Sequence, residues 1–289
     1  MRIAVDGARL FVDLDGPALV PEGPSMRERP TMILLHPGPG FDHTVWKVYL
    51  GPELATVAQV VYLDLRGHGR SDPIERDDMR LDVWAEDIVA LCDALEIERP
   101  VILGHGFGAL VATRYAARHP EHPRALVLSA PYARLVPARV VEAFDRLGDP
   151  EAGEVARRFY EQPDHLTLGE YLRRCYPIVV RYEEGAETLT RTDWNPDAFL
   201  QWTATEGRDF DLRPDLAAVR VPTLVLAGED DPYAPITSAR EAAEALPAEL
   251  VRFRSYPGIR HSIYRETAPA AVDEVRTFLL ELEDVEPAA

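Results

Sequence analysis

Cysteine is scarce in this chain. Cys92 and Cys175 stand far apart and match no metal-ligand spacing, so a disulfide framework or a thiolate metal site is not expected. Cys92 falls on the apolar stripe of a helical pattern, the setting of a buried, inert thiol. Basic charge is also short: 31 Lys and Arg face 49 Asp and Glu, leaving a formal charge of −18. A field of that sign repels phosphate backbones and anionic lipid, which argues against nucleic-acid and membrane-surface partners. Apolar runs fall well short of the ~20 residues of a membrane span. The opening Met1-Arg2-Ile3-Ala4-Val5-Asp6-Gly7 alternates like a strand and lacks the layout of a secretion signal, so a cytoplasmic location is expected. Internal repeats and low-complexity tracts are likewise missing.

What is present is an alternation of short apolar runs with helical patterns. The runs are Met32–Leu35, Val60–Leu63, Val101–Leu103, Leu126–Leu128 and Leu224–Leu226, with a weaker one at Leu250–Phe253. Trp84, Ile88, Leu91 and Leu95 recur at steps of four, three and four, one face of an amphipathic helix. Such alternation means βαβ crossovers and a mostly parallel sheet flanked by helices. Ile3–Val5 and Leu10–Leu14, hinged near Gly7, predict an antiparallel hairpin at the sheet edge. From about Pro137 to Arg213 the pattern is helical only. The expected layout is therefore a core of 1–131 and 214–289 with an inserted helical cap over 132–213, lying above the strand ends where open α/β sheets bind ligands. The final Glu281–Ala289 stretch, acidic and small, is expected to fray.

The most informative local signal is Gly104-His105-Gly106-Phe107-Gly108. It follows a strand and opens a helix, as does the G-x-S-x-G turn that lifts a serine hydroxyl above a parallel sheet. Here the nucleophile's own position holds Gly106. Four further segments stand in a compatible order. His36-Pro37-Gly38-Pro39-Gly40 follows a strand as a glycine-rich loop able to offer a backbone N–H to a developing oxyanion. Pro37 and Pro39 have no N–H, so Gly38 is the expected donor, with Phe107 N–H as its partner. Asp64 to Asp72 reads as a structural loop whose arginines and acids brace their neighbours. Gly228-Glu229-Asp230-Asp231-Pro232 supplies an acid after a late strand, Asp231 before Asp230. His261 follows the last strand, and it is the histidine C-terminal to that acid. The order Gly106, Asp231, His261 is nucleophile, acid, histidine.

These segments resemble the α/β-hydrolase superfamily, most nearly its proline-iminopeptidase-like branch. The motifs carrying the resemblance are HPGPG, DLRGHGRSD, GHGFGA, GEDDPYAP and GIRHS, spread over residues 31 to about 283. The resemblance implies an α/β-hydrolase fold with a helical cap, and His261, Asp231 and the elbow position Gly106 as the catalytic set. It also implies Gly38 and Phe107 as the oxyanion hole, and His36, His105 and Trp46 as substrate contacts. No metal or other cofactor is expected, the partner is a small organic molecule, and homo-oligomerisation is left open. Two departures matter. Gly106 removes the serine, and Pro37 removes one backbone donor. The cap glutamates that hold a substrate amine in that branch have no counterpart that can be aligned, so Glu183, Glu184, Glu187 and Glu206 are given no role.

Loss of the hydroxyl excludes an efficient acyl-enzyme route through residue 106, because removing such a serine typically lowers kcat by ~10⁶. Ser129 and Cys175 are poor replacements, since neither stands on an activating turn. Three chemistries stay open: His261 and Asp231 acting as a base on water to hydrolyse an ester, lactone, amide or C–C bond; the same pair removing a substrate proton in a lyase, isomerase or cofactor-free oxygenase; and ligand binding without turnover. Hydrolysis is the reading adopted from the sequence.

Overall fold

The computed structural model describes residues 1–180 and 190–284. Its strands are β1 (Arg2–Val5), β2 (Ala8–Asp15), β3 (Leu19–Glu22), β4 (Ser25–Glu28), β5 (Thr31–Leu35), β6 (Gln59–Asp64), β7 (Val101–His105), β8 (Ala125–Ser129), β9 (Thr223–Gly228) and β10 (Val251–Tyr256). Eight of them form one sheet in the order β1-β2-β6-β5-β7-β8-β9-β10, and β3 and β4 make a separate two-stranded hairpin. β1 and β2 are the antiparallel edge hairpin, and β2 pairs antiparallel with β6. The remaining pairings of the large sheet are parallel.

The central strands are apolar on both faces because helices cover both sides. β7 and β8 are buried along their whole length. The helices packing on the sheet include α1 (Leu81–Leu95) and α2 (Phe107–Arg118). Trp84, Ile88 and Leu91 of α1 are buried, as the periodicity required. The order turns back around β5, which pairs β6 on one side and β7 on the other. That reversal opens a crevice at the carboxyl ends of the strands, and the elbow sits there.

Between β8 and β9 the described residues are helical: α3 (Pro137–Leu147), α4 (Pro150–Glu161), α5 (His165–Arg174) and α6 (Pro196–Ala204) are the longer elements. They bury a second apolar cluster around Phe144, Phe159, Tyr171 and Phe199, distinct from the cluster about the sheet. Glu183, Glu184 and Glu187 lie outside the described residues. Glu206 instead accepts the N–H of Leu81 at 2.8 Å, capping the start of α1 from 125 residues away.

The chain closes on α7 (Ile236–Ala245) and α8 (Ala270–Asp284). The predicted fraying of Glu281–Ala289 is corrected for 281–284, which continue α8 as its last turn; 285–289 lie outside the described residues. No helix among the described residues is long and apolar enough to cross a membrane.

Candidate active site

The elbow is built by close packing. Gly106 has φ +54° and ψ −111°, a conformation costly for a residue with a side chain. A Cβ on Gly104 would stand 2.2 Å from the Gly108 carbonyl oxygen, and one on Gly108 2.4 Å from that of Leu35. Both flanking glycines are therefore demanded by helix–strand contact. Gly106 is different. Apart from its chain neighbours, a Cβ there would meet only His261 within 4 Å among the described residues, at 3.3 Å from Nε2 and 3.4 Å from Cε1.

His261 arrives on the loop after β10. That loop is stitched to the acid loop by the backbone: Glu229 N–H donates to the Tyr256 carbonyl at 3.1 Å and Asp230 N–H to that of Ile259 at 2.9 Å. Gly228 permits this approach, since a Cβ there would lie 2.3 Å from the Arg260 carbonyl oxygen. Asp231 Oδ2 lies 2.7 Å from His261 Nδ1. Its other oxygen, Oδ1, accepts the N–H groups of Tyr233 and Ala234 at 2.8 and 2.9 Å. Asp231 is 1% exposed, and these two backbone donors aim its free oxygen at one imidazole nitrogen. With Nδ1–H donating to Asp231, Nε2 is left as an acceptor facing the turn. Asp230 takes no part; its carboxylate pairs with Arg146 at 2.9 Å.

His105, the residue before the turn position, stacks obliquely on His261 at 4.5 Å between ring centroids. Its Nδ1 is 2.9 Å from Ser129 Oγ. Burial, reinforced by the neighbouring His261 ring, holds His105 well below the usual histidine range, so it stays neutral. Ser129 is thereby committed to His105. Cys175 is buried in the helical block against the Ala152 carbonyl, and burial pushes its thiol up to about 12. Neither is an available nucleophile.

Gly38 has φ +133° in the loop after β5, and its carbonyl oxygen faces the Tyr233 hydroxyl at 3.5 Å. Burial pushes that phenol up to about 12, so it keeps its proton. Phe107 is the first residue of α2, where an N–H has no partner within its own helix. Its side chain points away into the core, edge-on to Trp84 at 5.0 Å.

A cavity of about 400 Å³ opens beside the histidine, lined mainly by apolar and aromatic groups. Gly38, Trp46, His105, Tyr233 and His261 contribute from the sheet side, and Tyr171, Tyr176 and Phe199 from the helical block. Gly106 and Phe107 border the site through the backbone without lining this cavity. The expectation that His36 contacts substrate is corrected: it does not line the cavity and is fully buried. Its Nδ1 faces the Pro37 carbonyl at 2.8 Å and its Nε2 accepts Leu65 N–H at 3.2 Å, so both nitrogens brace two loops.

The Asp64–Asp72 loop is structural too. Asp64 holds His43 at 2.7 Å and the Arg70 N–H at 2.9 Å, while Arg66 forks onto Asp87 at 3.0 and 2.5 Å. The His43–Asp64 pair copies the spacing of the His261–Asp231 pair but is sealed from solvent. A further pair of contacts leaves no mark in the sequence. Asn195 N–H donates to the Gly40 carbonyl at 2.7 Å and Asp193 N–H to Asp42 Oδ2 at 3.2 Å, tying the end of the helical block to the loop after β5. Among the described residues no cluster of three or more His, Cys, Asp or Glu could hold a metal ion.

A family model for the alpha/beta hydrolase fold matches residues 30–266. The chain is 29% identical over 241 residues to a Caulobacter sp. (strain K31) protein provisionally named carbamate hydrolase RutD, covering 83% of this chain and 86% of the relative. It is 26% identical over 264 residues to the proline iminopeptidase of Lactobacillus helveticus (strain DPC 4571), with the same two coverages, 83% and 86%. The enol-lactonase from Burkholderia xenovorans LB400 superposes with a TM-score of 0.70 at 24% identity, covering 97% of this chain and 100% of that one; at this identity the likeness speaks for the fold. With a mostly parallel sheet, an elbow at its switch point and a model match over most of its length, the chain belongs to the α/β-hydrolase family.

Proposed function

We propose that this protein hydrolyses a small organic ester or lactone by direct attack of water, with His261 as general base and Asp231 as the residue that orients it. The observation that carries the reading is that His261 Nε2, its tautomer set by Asp231 at 2.7 Å, faces the side-chain-free Cα of Gly106. A water oxygen must approach such a base to ~2.6–3.2 Å, and glycine leaves that approach open. His261 Nε2 takes one proton as the water oxygen bonds to the carbonyl carbon. The carbonyl oxygen becomes an anion between the N–H groups of Gly38 and Phe107. Collapse breaks the bond to the leaving alkoxide, which recovers the proton from His261, so acid and alcohol leave together and no covalent enzyme intermediate forms. The helical block serves as a lid that covers the acyl group. The relatives named as hydrolases support a hydrolytic outcome over proton abstraction alone.

The test is a panel of activated and unactivated esters and lactones, assayed with the native chain and with His261→Ala. The native chain turns over at least one of them, and His261→Ala loses ~10²–10⁴ of that rate. Equal rates in both proteins remove His261 from the chemistry.

A further inference from the structure

Arg260 stands immediately before His261, yet its side chain leaves the histidine loop for the helical block. Its Nη1 donates to the carbonyl of Ile178 at 3.0 Å and, at longer range, to that of Pro177 at 3.4 Å. Both carbonyls belong to a single turn of helix, Tyr176–Val179. In so short a helix the last carbonyls have no partner within it, and its C-terminal end favours a cation. The loop is held by other bonds: Arg260 N–H donates to Glu266 Oε2 at 3.2 Å, and Asp230 N–H to the Ile259 carbonyl at 2.9 Å. The guanidinium therefore reaches across to the block without being needed to shape its own loop. Tyr176, Val179 and Val180 of this segment line the cavity together with His261. Ile178 is buried in the block, where a Cβ on Gly148 would come within 2.4 Å of its Cδ1. The wall is thus anchored to the block by hydrocarbon, and to the loop that carries the imidazole by Arg260. A second tie near the dyad, Arg146 to Asp230 at 2.9 Å, has side chains 54% and 34% exposed, and such pairs are screened and weak.

We infer that Arg260 is a positioning residue: it sets the 176–180 wall against His261 and so decides how well the cavity holds a ligand large enough to rest on that wall. The inference deepens the hydrolytic reading and rests on it for the use of the site, but binding alone tests it. A wall already in place need not be ordered when the ligand arrives. A loose one must be, and affinity falls accordingly. A small ligand leaves much of a cavity of about 400 Å³ empty and can bind clear of the wall; a large one cannot. Charge-assisted bonds are roughly twice as strong as neutral ones, so a neutral side chain at position 260 does not replace the guanidinium. Loss of Arg260 should therefore discriminate between ligands by size.

Equilibrium dialysis with two neutral ketones, acetophenone and the larger 1,5-diphenylpentan-3-one, tests this on the native chain, Arg260→Gln and Arg260→Lys. Arg260→Gln is expected to weaken the larger ketone about tenfold and acetophenone by less than about twofold. Arg260→Lys keeps a cation that can donate to the same carbonyls over a shorter reach, and should cut the larger ketone's loss to about threefold. A role confined to stability would weaken both ketones alike and would not respond to lysine. Should Arg260→Gln fold poorly, amide hydrogen exchange of Arg260→Lys serves instead. Val179 and Val180 then exchange faster than in the native chain, and the larger ketone restores their native rates while acetophenone does not. Equal losses for the two ketones, or unchanged exchange of those two amides, overturn the inference. So does a native chain that binds the larger ketone no tighter than acetophenone. A chain that hydrolyses no ester yet shows the size-dependent loss sustains this inference while the hydrolytic reading fails. Ester turnover that needs His261, alongside equal losses, sinks it and leaves the hydrolytic reading standing.

Discussion

A β-carbon on Gly106 would stand 3.3 Å from Nε2 of His261, so the imidazole faces the place where this chain has no side chain. His261 and Asp231 are paired at 2.7 Å, and in the proposed mechanism the oxygen that they activate is that of water. That geometry, and the loops that hold it, have consequences that can be measured.

Gly106→Ser returns the hydroxyl. The new Cβ lies within 3.4 Å of two His261 ring atoms, so the ring must give by a few tenths of an ångström, and the positive φ adds strain of ~1–3 kcal/mol. The variant should melt lower than the native chain. It should also acquire p-nitrophenyl ester turnover with a burst, and a fluorophosphonate should label it at position 106, read by peptide mass spectrometry. A folded variant with neither property would show that the imidazole and the oxyanion donors do not converge on this turn.

Gly40→Ala tests the clasp between the helical block and the loop after β5. Gly40 has φ +92°, and a Cβ there would lie 2.4 Å from the Asn195 carbonyl oxygen. Gly23→Ala is the matched control, with φ +57° and, beyond its chain neighbours, none of the described residues within 4 Å of its Cβ. Backbone strain alone costs each ~1–3 kcal/mol. The Gly40 variant should lose distinctly more melting temperature than the Gly23 variant, and it alone should lose hydrolysis. Equal losses would mean that the clasp is incidental.

Acid should weaken the fold before the carboxylates titrate. Burial holds His68 down to about 3, and burial also lowers His36 and His105. A histidine whose folded pKa is depressed binds fewer protons in the native state than in the unfolded one. Its stabilisation is therefore fully present above ~6.5 and is lost as pH falls from there toward the folded value. Each such group can contribute a slope of up to ~1.4 kcal/mol per pH unit. Melting temperatures should fall as pH is lowered from ~6.5 to ~4.5, and His68→Gln should make that fall shallower. An unchanged slope would mean that His68 titrates normally in the fold.

How much of this was legible in the sequence depends on whether the signal is local. The parallel strands could be read because burial on both faces demands unbroken runs such as Val101-Ile102-Leu103. The elbow could be read because Gly104 and Gly108 are forced by contacts within and beside one strand–turn–helix unit. Chain order pointed to Asp231 and His261 because each follows a strand end. The β3–β4 hairpin was not legible: it is short, mostly exposed and carries Pro21, so no alternation marks it. His36 could not be placed correctly because its partner, Leu65 N–H, lies on a different loop, and sequence neighbours say nothing of such a bond. The same holds for Glu206 on Leu81 and Asn195 on Gly40, both contacts between segments far apart in the chain.

The central claim is that water, and not a residue of the protein, attacks the substrate. Rapid-quench single turnover of a substrate ester, followed by intact-protein mass spectrometry and by simultaneous measurement of released acid and alcohol, tests it most directly. Direct attack by water predicts that acid and alcohol appear at one rate and that the protein mass never changes. A burst of alcohol ahead of acid, with an acyl group found on the protein, would contradict it.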